Sequence, residues 1–124
     1  MFTINYQSRE PIYEQLYNNV VKLIGMEVLH PHEKLPTVRA MAQQLGINPN
    51  TVSKSYQMLE ASGYIYSTVG KGSFVADNKS VIEGKQTETK EILTKAVKAA
   101  ANVGITQNEV IEIVDEVFLG GENE

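Results

Sequence analysis

Cysteine is absent from the 124 residues, which excludes a disulfide framework and any thiolate metal site. That absence agrees with a reducing compartment without demanding one. Histidine occurs twice, as His30 and His32 of a single His-Pro-His. Two imidazoles without a third ligand make a poor metal centre, so neither a metal nor a cofactor is expected. Long apolar runs are also missing: the most apolar window, VVKLIGMEVL, is interrupted by Lys22 and Glu27 and is too short to cross a bilayer. The opening MFTINYQSREP has no basic segment followed by an apolar run, so no secretory signal is expected and the chain is assigned to the cytoplasm. With no cysteine, both histidines in one loop and no carboxylate pair beside a convergent nucleophile, an enzyme is not expected. Internal repeats and low-complexity tracts are lacking as well.

An excess of positive charge is the next absence. The formal net charge is −4, but it is unevenly spread. Residues 1–76 carry six Lys/Arg against five Asp/Glu, while residues 77–124 carry five Lys against ten Asp/Glu. The acidity therefore belongs to the C-terminal part. A first half that is nearly neutral permits nucleic-acid binding but excludes binding by charge alone.

Helical periodicity is abundant. In PIYEQLYNNVVKLIG the residues Ile12, Tyr13, Leu16, Tyr17, Val20, Leu23 and Ile24 recur at spacings of three and four, which makes one apolar face. Pro11 suits a first helical position and Gly25 a stop. The prolines of EVLHPHEKLP mark a connection. A short helix follows in TVRAMAQQLG, with Thr37 as its N-cap, Gly46 as its stop, and Val38, Met41, Ala42 and Leu45 facing inward. Asn48-Pro49 then pairs a cap residue with a proline at the first position of a third helix, which turns Val52, Tyr56, Leu59 and Gly63 to one side and Asn50, Ser53, Lys54 and Gln57 to the other. So tight a turn forces the two short helices to cross steeply, as in a helix-turn-helix. After Gly63 the period drops to two, and YIYSTVGKGSFVAD reads as a hairpin around Gly70-Lys71-Gly72. Tyr13, Tyr17, Tyr56 and Phe74 are assigned to the core.

The polar stretch DNKSVIEGKQTET reads as a linker running into two further helices. The first is roughly ETKEILTKAVKAAANV, striped by Ile92, Leu93, Ala96, Val97, Ala100 and Val103. The second starts at a capping box, Thr106 with Glu109, and carries Val110, Ile111, Ile113, Val114, Val117 and Phe118. Its apolar arc exceeds half the circumference, more than one neighbouring helix covers, so a further surface is required. Glu112, Asp115 and Glu116 form a solvated face. The expected fold is mainly α with a small β-hairpin: a winged helix-turn-helix domain over residues 1–76, followed by a linker and two-helix dimerisation element over residues 77–124.

The third helix carries small polar residues and one lysine on its outer face and avoids acid until Glu60. A solvated face is usually rich in Glu and Lys. A helix lodged in a major groove instead presents Asn, Ser or Thr to base edges and Lys to phosphate. Taken alone, such a pattern fits a simple cap and solvated start equally well. The surrounding order is more specific. The segment KLPTVRAMAQQLGINPNTVSKSYQMLEASGYIYSTVGKGSFV resembles the DNA-binding domain of the GntR family of bacterial transcription regulators. The match runs from Leu-Pro through Arg39 and the Leu-Gly turn to the Asn-Thr-Val helix start, Leu-Glu-x-x-Gly-Tyr-Ile and Gly-x-Gly-Ser-Phe-Val. With the first helix it covers about residues 8–76, and the short two-helix tail is similar to the YtrA subfamily.

The resemblance implies a transcription regulator that binds a double-stranded DNA operator, as a homodimer and as a repressor, with each domain reading one half of a palindrome. An Arg early in the second helix of that family reads a guanine, and Arg39 matches it. The DNA-facing set it implies is Thr37, Arg39, Asn48, Asn50, Thr51, Ser53, Lys54, Lys71 and Gly72. Many members carry Arg where this chain has Pro49, which puts more weight on Arg39 and Lys54 and makes each single domain a weak binder. The dimer is assigned to Ile92, Leu93, Ala96, Val97, Ala100, Val110, Ile113, Val114, Val117 and Phe118. A small-molecule effector would lodge between these helices and the winged domain. The competing class is a winged-helix module that docks a protein through its C-terminal helices.

Overall fold

The computed structural model describes residues 1–123, with side chains up to residue 120. Its elements run α1 (Ile12–Gly25), α2 (Val38–Leu45), α3 (Pro49–Ala61), β1 (Ile65–Thr68), β2 (Gly72–Val75), α4 (Lys79–Asn102) and α5 (Gln107–Asn123). They separate into two units, Met1–Lys79 and Ser80–Glu124.

In the first unit α3 is the central element, packed by α1 on one side and α2 on the other. The core takes Leu16, Val20 and Ile24 from α1, Met41 and Ala42 from α2, and Val52, Tyr56 and Leu59 from α3, closed by Tyr64, Ile65 and Val75 at the base of the hairpin. Ser55 is the one fully buried polar side chain among the described residues. Its hydroxyl donates to the Tyr13 carbonyl at 2.6 Å and so pins α3 to α1. Burial without a partner would cost about 1–3 kcal/mol, which is why the bond is made. Tyr56 is buried as expected, whereas Tyr13, Tyr17 and Phe74 are only half-buried. Phe74 stacks on Tyr66, with ring centroids 5.5 Å apart.

Local chemistry sets the helix boundaries. The Ala40 N–H donates to Thr37 Oγ1 at 3.0 Å and the Asn50 N–H to Asn48 Oδ1 at 2.8 Å, so both expected N-caps form, with Pro49 in the first turn of α3. The ends of α1, α3 and α4 share one motif. A residue with positive φ follows the helix, and the next N–H reaches back five residues: Val28 to Leu23, Tyr64 to Leu59 and Ile105 to Ala100. Glycine fills the positive-φ position at Gly63 and Gly104, but at α1 it is Glu27, with φ 61°. Gly25, the expected stop, is instead the last helical residue, and Pro11 sits just before the first turn. A left-handed non-glycine residue costs roughly 1–2 kcal/mol, partly offset by the extra chain entropy glycine loses on folding. Glu27→Gly is therefore expected to stabilise the first unit by about 0.5–1 kcal/mol. All six tyrosines lie in that unit, so urea melts followed by tyrosine fluorescence read it selectively.

Two further expectations are corrected. EVLHPHEKLP is more than a connection: the His32 N–H donates to the Val75 carbonyl, the Val75 N–H to the Glu33 carbonyl and the Leu35 N–H to the Ser73 carbonyl, which adds a third ribbon to the β1–β2 hairpin. The assigned linker is helical from Lys79 onward. Lys79, Glu83, Lys85, Gln86 and Glu88 within it are good helix formers, and extending an existing helix is cheap compared with nucleating one. Thr89 and Thr94 turn their hydroxyls back to the Lys85 and Lys90 carbonyls at 2.8 Å, which keeps them inside α4.

Among the described residues the second unit has no comparable core. The capping box at α5 forms, with the Glu109 N–H donating to Thr106 Oγ1 and the Thr106 N–H to Glu109 Oε1. No residue of α4 is buried.

Candidate nucleic-acid interface

Helices α2 and α3 pack on each other across the three-residue turn Gly46-Ile47-Asn48, in which Gly46 takes the left-handed conformation, with φ 67°. Tyr56 of α3 donates its hydroxyl to the Pro36 carbonyl at 2.7 Å, immediately before the cap of α2. Burial raises that phenol far above its ordinary pKa, so it remains a donor at any working pH.

This packing places Arg39 beside the start of α3. Arg39 lines an open concavity of about 400 Å3 together with Ala42, Gln43, Gly46, Ile47 and Pro49. Arg39 is exposed and shares this concavity with Pro49, the first residue of α3, whose amino-terminal N–H groups favour an anion. Asn50 and Lys54 are exposed, and Thr51 and Ser53 are half-exposed. Asn48 and Thr37 already serve as caps. The Asn48 amide NH2 and the Thr37 hydroxyl hydrogen remain as donors, so capping and nucleic-acid contact are compatible in both. Lys54 is less free than its position on the helix implies, because its Nζ lies 3.7 Å above the Tyr13 ring.

The hairpin supplies the other edge. Lys71 is exposed at the tip, in a tight turn closed by the Lys71 N–H donating to the Thr68 carbonyl at 3.0 Å. A second open concavity, of about 490 Å3, runs from Thr37 to this tip and takes in Lys34 and Lys71. Gly72 has φ 119°, and a Cβ there would come within 3.0 Å of Lys34 Cε. The backbone conformation itself calls for glycine, which also leaves room for the Lys34 stem.

A family model for bacterial regulatory proteins of the gntR family matches residues 12–75. The HTH-type transcriptional repressor YtrA of Bacillus subtilis is 35% identical over 119 residues, covering 94% of this chain and 92% of the relative. The chain belongs to the GntR family. Among solved structures, a transcriptional antiterminator from Listeria monocytogenes EGD-e is 37% identical with a TM-score of 0.72, covering 94% of this chain and 89% of that one. AraR(DBD) in complex with operator ORE1 is 29% identical with a TM-score of 0.53, covering 61% of this chain and 93% of that one.

As a GntR-family protein of the YtrA-like type, the chain is a DNA-binding transcription regulator. No helix among the described residues is long and apolar enough to cross a membrane. Within this GntR winged unit the sequence reading missed two side chains on the same surface. Gln43 lies one turn beyond Arg39 on α2, on the same concavity, and its spacing of four was a signal available from sequence. Lys34 lines the second concavity, where the pairing of residues 32–35 with β2 puts it, which no local pattern announces.

The assigned dimerisation residues of the GntR chain lie on the second unit. Ile92, Leu93, Ala96, Val97, Ile113, Val114, Val117 and Phe118 are exposed, and Ala100 and Val110 are half-exposed. Phe118 is 68% and Ile92 62% exposed, well above the exposure usual for aromatic and branched aliphatic side chains.

Proposed function

We propose that the protein is a cytoplasmic homodimeric repressor in which each winged domain reads one half of a two-fold symmetric operator. The observation that carries this reading is the placement of Arg39 on one concavity with Ile47 and Pro49, beside the amino end of α3. An arginine there approaches a guanine edge while Asn50, Thr51 and Ser53 face neighbouring bases or phosphates. Lys34 and Lys71 then neutralise phosphate, and the Thr37 hydroxyl donates to it, along the groove between α2 and the wing. The repressor name of the YtrA relative supports the sign of regulation. The reading contains no catalytic step.

The second chain follows from the uncovered apolar residues of α4 and α5. Charge supports the same pairing: from Glu109 to Glu116, α5 carries four acidic residues and no basic one, while from Lys90 to the end of α4 Lys90, Lys95 and Lys98 outnumber the single Glu91. Helix α5 of one protomer laid against α4 of its partner covers both apolar faces and sets unlike charges alongside. Two-fold symmetry then places the half-site centres about one helical turn, near 34 Å, apart or at a multiple of it. An effector acting on this dimer must bind one spacing of the reading heads more tightly than another.

Selection of duplexes from a random pool tests the reading. The expected product is an inverted repeat with fixed spacing and a guanine at a constant place in each half. Recovery of no enriched sequence, or of a single asymmetric site, would refute it.

Lys54 gives a separate test. At an exposed site its contact with Tyr13 is worth about 0.5–1 kcal/mol, less than the roughly 1.5–3 kcal/mol of a hydrogen bond to a charged group. Phosphate therefore wins the ammonium when DNA arrives. Lys54→Ala is expected to weaken binding to all duplexes alike and to lower the salt slope by about two units per dimer, one for each protomer. Titrations at several salt concentrations measure it.

A further inference from the structure

The first ten residues carry no helical or strand periodicity, yet they are tied down along their length. Phe2 is buried in the core. The Asn5 N–H donates to Gln15 Oε1 at 2.8 Å, and Gln15 Nε2 donates back to the Asn5 carbonyl at 3.0 Å and to the Glu10 carbonyl at 2.8 Å. Asn18 Nδ2 donates to Glu10 Oε1 at 2.7 Å. The segment is a strap across α1, and its middle presents Tyr6.

Tyr6 is 60% exposed, so packing contributes little to its placement. Its hydroxyl donates to the Leu45 carbonyl at 2.7 Å and lies 3.1 Å from the Gly46 carbonyl, sharing one hydrogen between the last residue of α2 and its C-cap. Helix ends leave such carbonyls without an intrahelical partner. These two open the only segment joining Arg39's helix to the recognition helix. Helix α2 is thereby held at both ends by phenols, Tyr56 at its start and Tyr6 at its finish.

We propose that Tyr6 is a positioning residue for DNA readout: the N-terminal strap, through the Tyr6 hydroxyl, sets the crossing of α2 and α3 and so aligns Arg39 with the amino end of α3. This rests on the operator-reading function above. A misaligned pair loses base contacts, which are short and directional, and keeps its phosphate attraction.

The experiment uses the full chain and the duplex selected by the wild-type protein, with a random duplex of equal length alongside. Tyr6→Phe removes the hydroxyl and keeps the ring. It is expected to weaken binding to the selected duplex about three- to tenfold per half-site, as for loss of one hydrogen bond. Affinity for the random duplex and the salt slope stay unchanged, and the tyrosine-fluorescence urea midpoint falls by no more than the loss of one exposed hydrogen bond accounts for. Tyr6→Ala is expected to match Tyr6→Phe within about twofold, because Tyr6 is exposed. Unchanged affinity of Tyr6→Phe for the selected duplex overturns the proposal. So does an equal loss on both duplexes with a shallower salt slope, which would make Tyr6 a phosphate contact, or a large drop in the urea midpoint, which would make it a structural tie. Arg39→Ala is measured beside it: a loss there with none for Tyr6→Phe sinks the strap alone, while a wild-type protein that prefers no duplex sinks both.

Discussion

Arg39→Ala is expected to erase the preference for operator over random duplex while leaving the fold intact. The side chain is exposed on α2 and contributes nothing to the core formed by Met41 and Ala42, so the urea midpoint should not move. A bidentate arginine–guanine pair discriminates by about 1–3 kcal/mol. A symmetric dimer makes two such contacts, roughly additive because they lie a helical turn apart, for a total of about 2–6 kcal/mol. The specific affinity then falls by between about 30-fold and 10^4-fold. Arg39→Lys separates readout from charge. Lysine keeps the phosphate attraction and the salt slope but lacks the planar fork, so it should lose most of the discrimination and little of the affinity for random duplex. An Arg39→Ala protein that still selects its operator in competition mobility-shift assays would remove Arg39 from the readout and leave Asn50, Thr51 and Ser53 to carry it.

The features legible in the sequence are those whose physics is local. Thr37, Asn48-Pro49 and the Thr106–Glu109 box announce helix starts because a cap and the N–H it receives lie within three residues of each other. The hairpin is legible from its change of period and its glycines. What escaped notice is held by partners distant in sequence. Tyr6 reaches Leu45 across 39 residues, and the ribbon at His32–Leu35 pairs with β2 about 40 residues later. Glu27 in a glycine conformation escaped because the rule that glycine ends helices pointed two residues upstream, to Gly25. Residues 79–89 were mistaken for a linker because polarity was weighed above propensity. At the interface the nine assigned residues are gathered around α2, α3 and the wing. The sequence could not show that Thr37 and Asn48 also cap helices, that Gly72 clears a path for Lys34, or that Lys54 rests on Tyr13.

Breaking the second unit is expected to cost more than any single base contact. Val117→Asp with Phe118→Asp places two charges on the apolar face of α5, where both native side chains are about two-thirds exposed in the single chain. If a partner protomer covers that face, the buried charges have no counterpart and the dimer dissociates; the winged unit, which takes no core residue from α5, keeps its urea midpoint. Linking two modules raises avidity by about 10^2–10^4, and that gain is what the monomer loses on the full operator, while its affinity for an isolated half-site is unchanged. Sedimentation and anisotropy titrations on full and half sites read both effects. The charge pattern allows a sharper version. Lys95→Glu with Lys98→Glu, and separately Glu112→Lys with Glu116→Lys, should each place like charges along the α4–α5 contact and impair self-association. Mixed together, the two variants restore unlike charges along both α4–α5 contacts, and a heterodimer should form. Each variant dimerising as well as the wild type, or a mixture that stays monomeric while each helix remains intact by circular dichroism, would show that α5 does not lie along the α4 of its partner.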